Sequence, residues 1–382
     1  MFVLIIGLII CHHLIRISFV TALLVTAIKV SIPVLYFLFF FDQTWTLQDD
    51  ITYYKEAELQ ASVINSAIDL ANVPWSIFKE TGSYHWLYGF WNVLAILLFG
   101  YNYSSPVFLN IAATFIGGWK MCALAELLGF SQRYSKGLAI FFMLHYEILS
   151  WSSFVNIKDN LVVVLEIMIF ASLLKFLASF NVRALISGFL ATIALISTRF
   201  YVIFLLLSNF VLTSFSFFNY KKSVLFLFIG SIASFYTLVD VFPNLFEFDR
   251  ALSAFSRYSS FDNPIFEGLR FLLTPSPEVY LSNMEPKYGF CYLALFLHHI
   301  FLPLTMIGFI KLSKNRLFFP IALFLIQIVI FYALVPSSIG PRHRYQVVWI
   351  FVWCQFHALW ALLQKRNDTL HSGFRPGIIK LS

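Results

Sequence analysis

Between Arg16 and Asp42 the chain carries a single charge, Lys29, and is otherwise apolar but for small hydroxyls and Pro33. A run of that length spans a bilayer as a helix, for which about 20 residues suffice. Inside hydrocarbon the backbone must satisfy its own hydrogen bonds, so the choice lies between helices and a closed barrel. Comparable continuous runs recur at 105–127, 138–154, 160–179, 184–217, 223–241, 288–310, 317–335 and 345–363. A barrel would show segments of about ten residues alternating in polarity, and is excluded. With 60% hydrophobic and only 12% charged residues in 382, no soluble domain would need so much apolar surface. The expectation is an all-α polytopic membrane protein with about ten to twelve transmembrane helices.

Several function classes fall away. The net charge of +7 comes from Lys and Arg scattered singly between apolar runs, which fits cytoplasmic anchoring and not a nucleic-acid stripe. Cys11, Cys122, Cys291 and Cys354 lie in or beside different runs, without pairing or metal-ligand spacing. The first ten residues lack a basic leader and a small-residue cleavage site, so no removed signal peptide is expected. Whether residues 2 to 11 add a short span stays open. Lys29 must snorkel or face protein.

The short basic loops orient the chain by the positive-inside rule. Arg133, Lys136, Arg183, Lys221, Lys222, Lys311, Lys314, Arg316, Lys365 and Arg366 fall inside when the residues after 41 are outside. The run 184–217 is too long for one helix and reads as a pair bent near Thr198-Arg199. Between residue 50 and Arg133 the two stretches 84–100 and 105–127 would give an even number of crossings where the charges demand an odd one. Tyr84 to Gly100 is therefore expected to be partly a surface or re-entrant segment. The plan is one transmembrane domain, 1–365, with outside loops 42–83 and 242–287, and a cytoplasmic tail, 366–382. No internal repeat is evident, and only the tail after Lys365 reads as disordered.

Both outside loops are long enough to hold function. Leu59, Val63, Ala67 and Leu70 recur at helical spacing opposite Glu56, Glu58 and Asp69, as do Leu245, Phe248, Leu252 and Phe255 opposite Glu247, Asp249 and Arg250. Both patterns predict amphipathic helices on the outer membrane surface. Pro264, Pro275, Pro277 and Pro286 are expected to break up the second loop.

Adjacent carboxylates, Asp49 and Asp50, stand where the first span meets water. The topology brings few other polar residues to that boundary: His85, the run Asn156-Ile157-Lys158-Asp159-Asn160, Arg199, and Arg342-His343-Arg344. Converging carboxylates and arginines suit a reaction on an anionic, lipid-linked substrate, carboxylates taking a proton or holding a metal and guanidiniums gripping phosphate. Each has a bland alternative. Asp49 and Asp50 would cap the following helix, Lys158 and Asp159 would form a local ion pair, Arg342 and Arg344 would anchor the interface, and Arg199 would need a partner or a wet cavity. His12, His13, His298 and His299 read as packing or interface residues.

These features resemble the GT-C superfamily of glycosyltransferases that use polyprenyl-phosphate sugars. The likeness is carried by Asp49-Asp50-Ile51-Thr52-Tyr53 in the first outside loop, by the surface helices after it, and by His85-Trp86-Leu87-Tyr88 running to Phe99-Gly100. Ser152 to Asp159 is similar to the second acidic position after a membrane helix. The chain lacks both prolines of the His-Pro-Pro stretch usual there. The resemblance implies an inverting transferase at the outer face of a bacterial inner membrane, moving a sugar from a polyprenyl-phosphate donor to a glycan, lipid or protein acceptor. It implies Asp49 or Asp50 as the base, Asp159 as the second acid, and Tyr53, His85, Lys158, Arg199, Arg342 and Arg344 around the substrates, a divalent metal being left open. A polysaccharide polymerase or ligase would handle similar donors without a carboxylate pair in the first loop. A flippase or transporter would show internal repeats and mid-membrane polar residues.

Overall fold

The computed structural model describes residues 1–41, 48–81, 85–199, 201–217, 263–273, 286–334 and 341–368. Among them every regular element is a helix, and no strand occurs. The order is α1 (Phe2–Ile9), continued by a π-helical turn (Ile10–Leu14), α2 (Phe19–Phe39), α3 (Gln48–Ser62), α4 (Ala67–Thr81), α5 (Trp86–Phe99), α6 (Ser104–Leu127), α7 (Gln132–Leu144), α8 (Tyr146–Ser153) and α9 (Asp159–Ser179). Then come α10 (Val182–Ile196), α11 (Val202–Phe217), α12 (Pro264–Leu273), α13 (Pro286–Leu312), a 3₁₀ turn (Arg316–Phe318), α14 (Phe319–Leu334), α15 (Pro341–Tyr345) and α16 (Val348–Asp368).

By length and composition three of these helices can cross a membrane: α2, α6, and the stretch Arg316–Leu334. The first and second differ in surroundings. From α2, Leu24, Leu35 and Leu38 point outward, whereas α6 is enclosed, with Asn110, Thr114 and Phe115 buried. It is enclosed because α5, α7 and α9 all pack on it. Gly118 makes this close, since a methyl group there would meet the Met143 side chain of α7. Farther along, α10 covers α9, and α13 lies along α16. At Gly308 of α13 an added Cβ would collide with the Cys354 backbone carbonyl of α16, so only glycine allows this approach.

Several sequence expectations meet detail here. The run 184–217 is two helices, α10 and α11, with residues 197–201 between them. The 53–80 pattern is not one helix: α3 stops at Ser62 and α4 starts at Ala67. Asp69 causes the restart, because its Oδ2 accepts the amides of Asn65 (3.0 Å) and Ser66 (2.8 Å) while Ser66 Oγ accepts the Asp69 amide (3.2 Å). The inner face is Tyr54, Ala57 and Ala61 of α3 with Val73 and Ile77 of α4, and Leu59 and Val63 stay exposed. Pro264 and Pro286 stand first in α12 and α13, where a missing N–H costs nothing. The patterned stretch 245–255, the run 223–241, Pro275, Pro277, Lys221 and Lys222 lie outside the described residues, as does the tail from 369.

Lys29 faces protein. Its Nζ donates to the carbonyl of Met143 (3.0 Å) at the end of α7 and lies 3.5 Å from Ser152 Oγ, a donor supplied to a helix C-terminus. α5, only about 21 Å long at 1.5 Å per residue, falls short of the roughly 30 Å hydrocarbon core. Both its flanks are bonded to one short segment: His85 to Lys158, and Tyr103 to the amide of Asn156. At the far end of the bundle Asn315 Nδ2 donates to the Leu128 carbonyl (3.1 Å), tying the turn after α13 to the turn after α6.

Candidate active site

The site forms where α3, α5 and α9 begin, where α10 hands over to α11, and where α15 lies. Asp49 and Asp50 occupy the first turn of α3, favourable for carboxylates beside free amides. Successive helical residues point about 100° apart, so the pair parts company. Asp50 is fully buried, accepting Tyr103 OH (2.7 Å) on Oδ2 and the Ile51 amide (2.8 Å) on Oδ1. Asp49, its side chain 53% exposed, accepts Nη1 of Arg342 (2.7 Å). One turn on, Tyr53 follows the Asp49 side and Tyr54 the Asp50 side, as i,i+4 spacing requires; Tyr54 packs edge-on to Tyr103.

Lys158 and Asp159 diverge in the same way and make no local pair. Asp159, fully buried at the start of α9, is held by Arg199 on Oδ1 and by Arg342 Nε on Oδ2 (2.7 Å). Arg342 thus bridges two carboxylates, Asp49 and Asp159. Arg199 continues outward, Nη1 donating to Tyr201 OH (2.6 Å), which meets Tyr332 OH (2.6 Å) and Gln346 Nε2 (3.0 Å). Lys158 Nζ turns the other way, to Tyr53 OH (3.0 Å) and His85 Nε2 (2.7 Å). His85 Nδ1 lies 2.9 Å from the carbonyl of Thr198. A carbonyl only accepts, so Nδ1 carries the proton and Nε2 receives the lysine.

The electrostatics follow from burial among cations. Burial, then Lys158 and Arg199, hold the His85 imidazolium down to about 2, so the ring is neutral. Burial, reinforced by Arg199 and Arg342, pushes Lys158 well below its ordinary value. Burial raises the Tyr53 phenol. Beneath these groups Asn156 is fully buried and ties the floor: Tyr88 OH donates to its Oδ1 (2.6 Å), and its Nδ2 reaches Asn92 Oδ1 (2.7 Å) and the Asp50 carbonyl (3.2 Å).

Of the sequence-predicted residues, the structure gathers Asp49, Asp159, Tyr53, His85, Lys158, Arg199 and Arg342. Asp50 adjoins them from below, against Tyr103. Arg344 is elsewhere. Two positions from Arg342 on a helix, it faces away and is fully buried, with Nη2 on Glu147 Oε2 (3.1 Å). His298 Nδ1 stands against the other oxygen of Glu147 (3.1 Å). The sequence reading leaves out Glu147 and Glu166, although a carboxylate inside an apolar run is itself a signal; Glu166 accepts Trp349 Nε1 (2.9 Å). Tyr88, Asn92 and Tyr103 carry no such signal.

A divalent metal does not fit this donor set. Asp49 and Asp159 face guanidiniums, whose charge opposes a cation between them. Among the described residues no three His, Cys, Asp or Glu gather around a point that could hold one. Compared with protein-family models, curated proteins and solved structures, the chain matches none.

Proposed function

We propose that the chain is a polytopic inner-membrane glycosyltransferase of GT-C type, moving a sugar from a polyprenyl-phosphate donor to a cell-envelope glycan, lipid or protein at the outer face. The ten to twelve spans, the outside placement of α3 and α4 and the cytoplasmic basic loops belong to this reading. What carries it is the meeting of one half-exposed carboxylate, Asp49, with two guanidiniums, Arg342 and Arg199, and the Lys158 amine, at one end of an apolar helical bundle.

That combination has the parts an inverting transfer needs. The acceptor hydroxyl attacks the anomeric carbon as the bond from that carbon to the phosphate oxygen breaks. Asp49 receives the hydroxyl proton, and the polyprenyl phosphate leaves with the electron pair. Arg342, with Arg199 behind it, offsets the charge gathering on the phosphate. A donor phosphate competes with Asp49 for the Arg342 guanidinium, so donor binding would free the carboxylate for the acceptor. Asp50, sealed against Tyr103, would hold the first turn of α3 in place.

Purified protein in liposomes with a radiolabelled polyprenyl-phosphate sugar and an acceptor extract tests this. Release of polyprenyl phosphate coupled to labelled acceptor is the expected result. Passage of intact donor across the bilayer without cleavage would replace the transferase by a transporter.

A further inference from the structure

We infer that Glu147, through Arg344, positions Arg342. The inference rests on the phosphate-gripping role proposed above for its kinetic arm only. α15 has five residues, too few to be stable as a helix alone, so its place depends on what its side chains grip. Arg342 leaves one side for Asp159 and Asp49, the side that retains some exposure. Arg344 leaves the opposite side for Glu147 of α8, and both side chains are wholly buried. Tyr345 OH donates to Asn160 Oδ1 (2.7 Å), and Gln346 Nε2 donates to Tyr332 OH (3.0 Å). The Arg344–Glu147 contact joins two opposite charges whose side chains are both fully buried, where withdrawing one partner is most disruptive.

Glu147 is tied to more than α15. His298 of α13 holds its second oxygen, and the other ring nitrogen of His298 lies 2.9 Å from the Leu272 carbonyl at the end of α12. Next to it, His299 Nε2 lies 2.9 Å from the Leu273 carbonyl. The carboxylate is thus the meeting point of α8, α12, α13 and α15. Arg342 owes its reach toward α3 to a contact on the far side of its own helix.

The test uses the full chain in detergent and has a readout apart from activity. In a chain whose four native cysteines are changed to alanine, cysteines replace Asp49 and Arg342, which removes their own ion pair, and a short bifunctional maleimide reports whether the two positions still lie together; single-cysteine versions serve as controls. Adding Glu147→Gln is expected to lower the cross-linked fraction about tenfold, whereas Arg344→Lys, which keeps the charge, lowers it far less. In the chain with its own Asp49 and Arg342, Glu147→Gln is expected to lower kcat/KM for the donor about tenfold, through a raised donor KM and a reduced kcat together. Should Glu147→Gln prevent folding, His298→Leu withdraws the second donor and leaves the ion pair, and a partial loss of cross-linking is expected. Cross-linking and donor KM unchanged in a folded Glu147→Gln protein would overturn the inference. Cross-linking that depends on Glu147 in a protein without transfer activity would leave the positioning intact and remove the proposed function instead.

Discussion

Nη1 of Arg342 lies 2.7 Å from Oδ2 of Asp49, and the two residues are 293 positions apart in the chain. One guanidinium thereby links the first turn of α3 to the buried Asp159 of α9. The contact closes the candidate site, and it sets what each carboxylate of the Asp49-Asp50 pair is placed to do.

Asp49→Asn and Asp50→Asn should separate cleanly. Loss of a general base typically costs about a hundred- to ten-thousand-fold in rate, and that loss is expected for Asp49→Asn in the liposome transfer assay. Asp50→Asn keeps an acceptor for Tyr103 but sets its amide group against the Ile51 N–H, so transfer should persist with a stability cost of about 1–3 kcal/mol. Equal loss in both variants would count against Asp49 as the sole base.

Arg342→Lys keeps the charge but cannot span two carboxylates. Donor affinity should fall about tenfold while insertion and expression hold. Titration of the donor analogue into purified protein reads this directly; unchanged affinity would return Arg342 to a structural role.

The pairing pattern on α3 was legible in part from sequence alone. Asp49 and Tyr53 share one side and Asp50 and Tyr54 the other by helical spacing, so the division of labour follows once the helix is known to begin at Gln48. Which side meets Arg342 was not legible, because that depends on a residue near the other end of the chain. The same geometry separates Arg342 from Arg344. Two arginines read together as phosphate ligands point apart once α15 is a helix, a fact hidden in a Pro-Arg-His-Arg-Tyr string. Lys158-Asp159 reads as a local pair for the opposite reason: adjacency in sequence says nothing of the larger network that each joins.

Acid should loosen the site through His85. Its folded value near 2 lies below the ordinary 6.5, so the unfolded chain takes up the proton first. Stability is then complete above about pH 6.5 and declines as pH falls toward 2, with about 2 kcal/mol lost by pH 5. Thermal melting in detergent at pH 7.5 and pH 5 measures the loss, and His85→Gln should flatten the dependence. A slope unaltered in that variant would assign the acid sensitivity to another group.

Sidedness can be read by labelling. Cysteines at Asn263, Arg133 and Lys314, all exposed, report on the loop proposed to lie outside and on the basic turns proposed to lie opposite. An impermeant reagent applied from the periplasm should reach Asn263→Cys and spare Arg133→Cys and Lys314→Cys. The inverse pattern would turn the whole arrangement over, consistent with none of the proposed chemistry at the outer face.

Gly308 leaves no room between its own backbone and the Cys354 carbonyl. Sliding α13 along α16 would bring Leu304 or Leu312, which share the face of Gly308, against that carbonyl, so the two helices are interlocked as a single strut. Arg344 and Gln346 lie just before α16, and His298 sits on α13. Any rearrangement of the bundle therefore moves α13 and α16 together, and the segment that carries Arg342, which leads directly into α16, goes with them.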